Sequence, residues 1–99
     1  MKLDSRFIKP LGFDWDQGNK EKSWNKHKIT IKESEEAFFN RPIKTFIDIK
    51  HSQKENRLTI LGRTDENKKL YITFTIRNKQ IRIISARKMS IKERRFYEK

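Results

Sequence analysis

The stretch KLYITFTIRNKQIRIISAR, residues 69–87, decides the fold of this 99-residue chain. Every second residue in its first half is apolar: Leu70, Ile72, Phe74 and Ile76. A period of two is typical of a strand that buries one face, and Asn78-Lys79 can form a tight turn because Asn tolerates a positive φ angle. The stretch therefore predicts two antiparallel strands, Lys69–Arg77 and Gln80–Arg87, joined as a hairpin.

Two further strands are predicted upstream of this hairpin. The segment Ile43–Ile49 alternates with the same period of two. Its predicted inward side chains are Ile43, Thr45, Ile47 and Ile49. The segment Arg57–Arg63 carries Leu58 and Ile60 on its inward side, and Gly62 suits a bulge or the close approach of a helix. Short connections imply that all four strands pair in one antiparallel sheet.

Helix-capping signals predict three helices. The pairings are Asp14 with Gln17, Thr30 with Glu33, and Ser90 with Glu93. The first helix is predicted over about 16–27, and the second is predicted to end at Phe39 because Pro42 disfavours helical geometry at the residue before it. A short strand is possible near Phe13. The predicted fold class is α+β, an antiparallel four-stranded sheet with two N-terminal helices and one C-terminal helix.

The composition favours one small intracellular domain. A chain of 99 residues fits a single domain over residues 1–99. Because it has no cysteine, it offers neither a disulfide framework nor a zinc-thiolate site. Residues 1–10 contain charges and no apolar run, so neither a signal peptide nor a membrane anchor is expected. We therefore expect a cytoplasmic protein.

The charge balance indicates a polyanionic partner. The chain has 25 Lys and Arg against 13 Asp and Glu, a net charge of +12, which attracts nucleic acid, acidic proteins and anionic lipid alike. The outward side chains of the predicted strands lack any carboxylate: Lys44, Phe46, Arg57, Thr59, Arg63, Tyr71, Thr73, Thr75, Arg77 and Arg82. Guanidinium groups between aromatic rings suit single-stranded RNA. The alternative is an ordinary polar sheet face turned to water.

A second basic cluster follows at the carboxyl-terminal end. Its members are Lys79, Arg82, Arg87, Lys88, Lys92, Arg94, Arg95 and Lys99. Only Glu93 and Glu98 oppose them there. A hairpin strand that runs into a basic helix would extend the charged sheet face, although a solvated helix explains single residues such as Arg94 equally well.

The residues leave metal-free RNA cleavage as the most plausible chemistry. Two histidines cannot alone build a structural zinc site, and the sequence has no glycine-rich phosphate loop. In metal-free cleavage the 2′-hydroxyl attacks its own phosphate, so an enzyme needs cations and one proton carrier. His27 has a suitable intrinsic pKa, with Tyr97, Glu93 and Glu36 as weaker candidates. An interaction of His27 with helix-terminal carbonyls explains that residue about equally well.

Five ordered strings of residues resemble the BrnT family of bacterial toxins. They are Phe13-Asp14-Trp15-Asp16, Asn25-Lys26-His27 with Ile29, Leu61-Gly62-Arg63, Arg82-Ile83-Ile84-Ser85-Ala86-Arg87, and Glu93-Arg94-Arg95 with Tyr97. The resemblance implies a RelE-like fold and a type II toxin that inhibits growth by cleaving RNA. It also implies a cognate DNA-binding antitoxin, expected to be a ribbon-helix-helix protein, and a complex that binds operator DNA. The chain departs from the family pattern at Asn19, Ser23 and Lys28.

These considerations predict a catalytic and an RNA-binding set without metal or cofactor. The catalytic set is His27, Arg63, Arg82 and Tyr97, and the RNA-binding set is Lys26, Arg57, Tyr71, Arg77, Arg87 and Lys88. Arg63 and Arg82 are expected to clamp the scissile phosphate on an open sheet face, while His27, or else Tyr97, moves the proton. Two alternatives stay open: a non-catalytic nucleic-acid-binding regulatory module, and a domain that binds an acidic protein.

Overall fold

The computed structural model describes residues 12–48 and 56–99, and these form one antiparallel sheet flanked by helices. In chain order the elements are α1 (Lys22–His27), α2 (Ile31–Phe39), β1 (Lys44–Asp48), β2 (Arg57–Arg63), β3 (Lys69–Arg77), β4 (Gln80–Lys88) and α3 (Ile91–Tyr97). The strand order is β1-β2-β3-β4, with every pair antiparallel. The predicted α+β class with three helices is confirmed. The predictions for residues 1–10, Ile49 and the loop up to residue 55 lie outside the described residues.

The hairpin of β3 and β4 forms as its sequence predicts. Asn78 and Lys79 have φ angles of 51° and 63°, and such a turn matches the right-handed twist of the strands. The register shifts after Thr73, which pairs with Ser85, because the next pair is Phe74 with Ile83. Ile84 is therefore an extra residue in β4, and this bulge keeps apolar side chains on the core side.

The core lies between the sheet and α2. Its buried members are Ile29, Ala37, Leu58, Ile60, Leu70, Ile72, Phe74, Ile81, Ile83 and Ala86. The capping box of Thr30 and Glu33 starts α2 as predicted. A Cβ atom at Gly62 would lie 2.7 Å from the carbonyl oxygen of Ala37, so Gly62 allows the backbone of α2 to approach β2. The predicted close helix approach at this glycine is confirmed.

The first helix is shorter than the predicted 16–27. Oδ1 of Asp16 accepts a hydrogen bond from Gly18 N at 2.7 Å, and Asp16 N donates to Oδ1 of Asn19 at 2.8 Å. Because such local bonds compete with helical hydrogen bonding, this segment is a turn and the helix starts only at Lys22. The predicted pairing of Asp14 with Gln17 as a helix cap is wrong.

The turn and α1 cover the outer edge of β4. Phe13 forms a parallel bridge with Ile81, which confirms a short strand-like contact near Phe13. Further along, Nδ2 of Asn19 donates to the Ile83 carbonyl at 2.9 Å, and Oγ of Ser23 accepts from Ala86 N at 2.8 Å. Two of the three departures from the family pattern, Asn19 and Ser23, therefore hold the N-terminal segment on the sheet.

The third departure, Lys28, forms the end of α1. Its φ angle is 59°, in the left-handed region, and its N–H donates to the carbonyls of Ser23 and Trp24. This is the geometry in which a helix commonly ends. The first helix therefore ends in left-handed geometry without a glycine.

The second face of the sheet is not open as predicted. The capping box of Ser90 and Glu93 starts α3 as expected, but the helix packs on the face opposite α2. There Leu61, Met89 and Tyr97 form a second buried cluster, and every residue from 58 to 62 is buried. The inward prediction for Ile47 is also wrong, because this side chain of the edge strand β1 is 41% exposed.

Replacing Gly62 with alanine should destabilise the fold. The added methyl would collide with a helix backbone, which cannot move away as a side chain can, so we expect the free energy of unfolding to fall by about 1–3 kcal/mol in urea titrations. Gly18→Ala is the matched control, because its Cβ would meet only side-chain atoms, with Oδ1 of Asp16 the nearest at 3.2 Å. Equal losses for the two variants would contradict the role of Gly62.

Candidate functional site

The sheet register divides the predicted site residues between two ends of the sheet. At one end Arg63 pairs with Lys69 and Tyr71 with Arg87. Arg82 pairs with Thr75, six residues along β3 from Lys69, which is about 20 Å at the usual strand rise. We call these the α3 end and the hairpin end. Arg63 and Arg82 therefore cannot clamp one phosphate, and this part of the prediction is wrong.

At the hairpin end, Arg82 fastens the N-terminal segment to the sheet. Its guanidinium donates to both carboxylate oxygens of Asp16 at 2.9 and 3.0 Å and lies 3.5 Å from Asp14. The Arg82 side chain is only 15% exposed. The hydrogen bond from Arg82 lowers the pKa of Asp16 below its usual value. The sheet surface thus carries carboxylates that an alternation pattern cannot reveal, since they come from a neighbouring turn.

Two other predicted cations also lie at the hairpin end. The hydrogen bond to Asp16 raises the pKa of Arg82, and the positive charge of Arg77, which lies next to the turn, acts in the opposite sense. Arg57 faces Asp48 in the register of β1 and β2. Both arginines have interactions of their own.

At the α3 end, Arg87 is held in a fixed orientation on the sheet. Its guanidinium lies 3.9 Å from the ring centroid of Tyr71 and donates to both oxygens of Glu93 at 2.9 Å. It also donates to the Lys88 carbonyl at 3.1 Å. The hydrogen bonds raise the pKa of Arg87 and lower that of Glu93. Glu93 also accepts from Ser90 N at 2.8 Å, so one carboxylate caps α3 and fixes this cation.

A groove lies beside this ion pair, between α3 and the sheet. Its volume is about 330 Å³ and its lining residues are Phe46, Leu61, Tyr71, Lys92, Glu93 and Phe96. The rings of Phe46 and Phe96 are 5.5 Å apart. Nζ of Lys44 lies 4.6 Å above the Phe96 ring and donates to the Phe96 carbonyl at 2.6 Å. Aromatic walls and ammonium groups therefore meet at the α3 end.

Tyr97 and Arg63 anchor the far side of α3. The Tyr97 hydroxyl donates to the Pro42 carbonyl at 2.6 Å, and burial raises its pKa. Nε of Arg63 donates to the Arg41 carbonyl at 2.9 Å, and the positive charge of Arg63 acts on Tyr97 in the opposite sense, lowering its pKa. The two residues are thus neighbours, and the proton of Tyr97 is engaged in holding the helix.

Lys26 and His27 occupy the last turn of α1. The N-terminal segment runs along β4 from its start towards its end. Asp14 N donates to the Ile81 carbonyl, and further along Ser23 Oγ accepts from Ala86 N. Ser23 and His27 are four residues apart, so they lie on the same side of the helix. His27 is half-buried and Lys26 is exposed. The start of α1 therefore lies beside the end of β4 that carries Arg87 and Lys88.

Sequence reasoning identified only part of this site. It named Tyr71, Arg87 and Lys88, which alternation and register bring to one end of the sheet. It also placed Phe46 on the outward face and Lys92 in the carboxyl-terminal basic cluster, both of which line the groove. It did not place Phe96 in a site, because it left the packing side of α3 undetermined. In the ranges 12–48 and 56–99, no group of three His, Cys, Asp or Glu side chains is placed to hold a metal ion, and no helix has the length and apolarity to cross a bilayer.

Comparison with known proteins identifies a family. The profile described as "Ribonuclease toxin, BrnT, of type II toxin-antitoxin system" matches residues 15–93, well over half of the chain. The matched range begins at the turn before α1 and ends at Glu93, so it contains the whole sheet and the ion pair of Arg87. A search of curated proteins gives no significant match.

The ion pair between Arg87 and Glu93 should make stability depend on pH. Because the folded state lowers the pKa of Glu93, the pair stabilises the fold above the unfolded pKa, and this stabilisation is lost as the pH falls through the lower, folded value. Glu93→Gln keeps the capping box but removes the charge. At pH 7 we expect it to cost about 1 kcal/mol or less in urea unfolding, because the pair is partly exposed.

The difference in the free energy of unfolding between wild type and Glu93→Gln should become smaller as the pH falls below 4.5, the ordinary pKa of the Glu93 carboxyl. Parallel urea titrations at pH 7 and pH 3 measure it. A gap that is equally wide at both pH values would show that the charge of Glu93 does not stabilise α3.

Proposed function

The chain belongs to the BrnT family of ribonuclease toxins of type II toxin-antitoxin systems, and on this premise we propose that it is a metal-independent endoribonuclease that inhibits translation and growth. In the proposed reaction a base removes the proton of a 2′-hydroxyl, and O2′ attacks the adjacent phosphorus. The O5′ bond to phosphorus breaks and O5′ gains a proton. The products are a 2′,3′-cyclic phosphate and a 5′-hydroxyl. Negative charge develops on the phosphate oxygens, so fixed cations accelerate the step.

The observation that carries this proposal is the orientation of Arg87. Stacking on Tyr71 and the bonds to Glu93 fix the guanidinium before any substrate arrives, and preorganised charges are the effective ones in catalysis. An arginine has five N–H donors, so the three bonds to Glu93 and Lys88 leave donors for a phosphate oxygen. We assign Arg87 to the scissile phosphate, with Lys88 beside it.

For the proton we assign His27 rather than Tyr97. The hydroxyl of Tyr97 is bonded to a backbone carbonyl, and its pKa is raised, so the phenol is a poor base at neutral pH. An imidazole can serve as a general base, and His27 lies one helical turn beyond Ser23, whose hydroxyl accepts from Ala86 N beside Arg87. Tyr97 then acts by positioning α3, and Arg63 supports the same end of the sheet.

The remaining predicted cations are assigned to the flanking RNA. Lys26 is exposed on the last turn of α1 and is proposed to contact a phosphate near the cleaved bond. Arg57 and Arg77 are proposed to contact phosphates of the same strand towards the hairpin end. Arg82 has a structural role, because two carboxylates already compensate its charge.

Family membership also implies partners. A toxin of a type II system has a cognate antitoxin, and a ribonuclease has an RNA substrate. More specifically, we propose a DNA-binding antitoxin of the ribbon-helix-helix type, a toxin-antitoxin complex that binds operator DNA, and a cytoplasmic location. We also propose that the α+β domain is RelE-like.

A specific observation favours a second function, a non-catalytic nucleic-acid-binding regulatory module. Arg82 and Arg87 both form ion pairs with carboxylates. They therefore offer less uncompensated positive charge to a transition state than two arginines without carboxylate partners would. Such a module would bind RNA with an affinity that falls steeply with salt, and it would release no cleavage products.

Purified protein should cleave single-stranded RNA in the presence of EDTA and leave cyclic phosphate ends. We expect His27→Ala to lower the cleavage rate by about 100-fold or more, the usual contribution of a general base, and Arg87→Ala to lower it by a similar factor through lost charge stabilisation. Gel analysis of a labelled RNA measures both rates.

Arg95→Ala is the matched control, since Arg95 is an exposed cation on α3 and should leave the rate within about twofold if cleavage does not depend on bulk charge. Binding without cleavage by the wild type would favour the regulatory module. Equal rates for wild type, His27→Ala and Arg87→Ala would remove the proposed site.

A further inference from the structure

We propose that the groove between α3 and the sheet binds one unstacked nucleobase of an RNA strand. The proposal rests on the proposed function for its ligand, RNA, and adds the subsite that a base occupies beside the scissile phosphate. Three observations carry it: the chemistry of the groove walls, the groove's size, and the position of its cations.

The walls of the groove are aromatic and apolar. Phe46 and Phe96 meet at 5.5 Å on one side, Leu61 belongs to the buried cluster beneath, and Tyr71 forms the side towards Arg87. Phe96 is 45% exposed, so part of its ring is open to a ligand. A nucleobase would cover it by stacking, an interaction open to every base because each has a flat π face.

The size of the groove limits what it can hold. A volume of about 330 Å³ lies at the lower end of the range for ligand pockets, about 300–1,000 Å³. It is suited to one base and is too small for a run of several. RNA is read mainly through bases that have left the stack of a single strand, so a one-base groove fits that mode of binding.

The cations lie where the phosphates of such a nucleotide would be. Nζ of Lys44 lies 4.6 Å from the centroid of the Phe96 ring, and Lys92 lines the groove. Arg87 lies behind Tyr71. Glu93 is the single carboxylate among the lining residues, and both of its oxygens already accept hydrogen bonds from Arg87. A phosphate-bearing ligand therefore suits this rim.

Binding of an uncleavable RNA tests the groove separately from catalysis. A labelled oligonucleotide with 2′-O-methyl riboses cannot undergo the proposed reaction, since O2′ carries no proton. In fluorescence anisotropy we expect Phe96→Ala to weaken its binding about tenfold, the loss of one stacked base. Phe96→Trp should restore the affinity, and an abasic strand of equal length should bind wild type and Phe96→Ala equally.

Ile91→Ala is the matched control, because Ile91 is 73% exposed on the same helix and does not line the groove. It should leave the affinity unchanged, and circular dichroism checks that each variant is folded. Equal binding by folded Phe96→Ala and wild type would overturn the proposal. An equal loss of affinity for the abasic strand in Phe96→Ala would also overturn the proposal, because the lost interaction could not then be base stacking.

Two further outcomes separate this proposal from the ribonuclease assignment. If Phe96→Ala weakens binding of the uncleavable RNA but the wild type does not cleave ordinary RNA, the nucleobase proposal is supported and the catalytic proposal fails. If the wild type cuts RNA and Phe96→Ala loses binding only to the cognate antitoxin, the groove is a protein interface and the nucleobase proposal is overturned.

Discussion

The burial of β2 on both faces is the constraint on which the rest of the molecule depends. On one face Gly62 admits the backbone of α2, and on the other Leu61 packs against Tyr97 of α3. A chain of this size has little core to spare, so a helix that covers the second face adds a necessary share of buried surface. The same helix, together with the sheet, forms the groove. The groove at the α3 end is therefore formed by a helix that also contributes to the core.

Two arginines of similar appearance in the sequence have acquired different roles through their carboxylate partners. Arg82 meets acids from the turn before α1, and the contact joins that turn to the sheet. Arg87 forms an ion pair with Glu93, which also caps α3, so the pair joins strand β4 to the helix. Some N–H donors of the guanidinium remain available for a ligand. Lys92 lines the groove and Lys44 lies over the ring of Phe96, and both suit phosphate as point charges.

Local signals made much of the fold predictable. Period-two alternation gave the strands, and the capping boxes at Thr30 and Ser90 gave the starts of α2 and α3. The start of α1 was not predictable, because Asp16 and Asn19 close a turn with side-chain hydrogen bonds that a helix pattern does not encode. Of the candidate site, register alone links Tyr71 with Arg87. The side on which α3 packs depends on long-range contacts. Because the groove is formed by α3 and the sheet, neither the packing side nor the groove could be predicted from the sequence.

We propose that RNA engages the α3 end of the sheet and that the hairpin end contributes less to binding. An NMR titration of the labelled protein with the 2′-O-methyl RNA locates the contact directly, without reference to cleavage. The account predicts that the largest amide shift changes occur at Tyr71, Arg87 and Phe96. Changes concentrated instead around Asn78 and Arg82, with the α3 end unaffected, would contradict it.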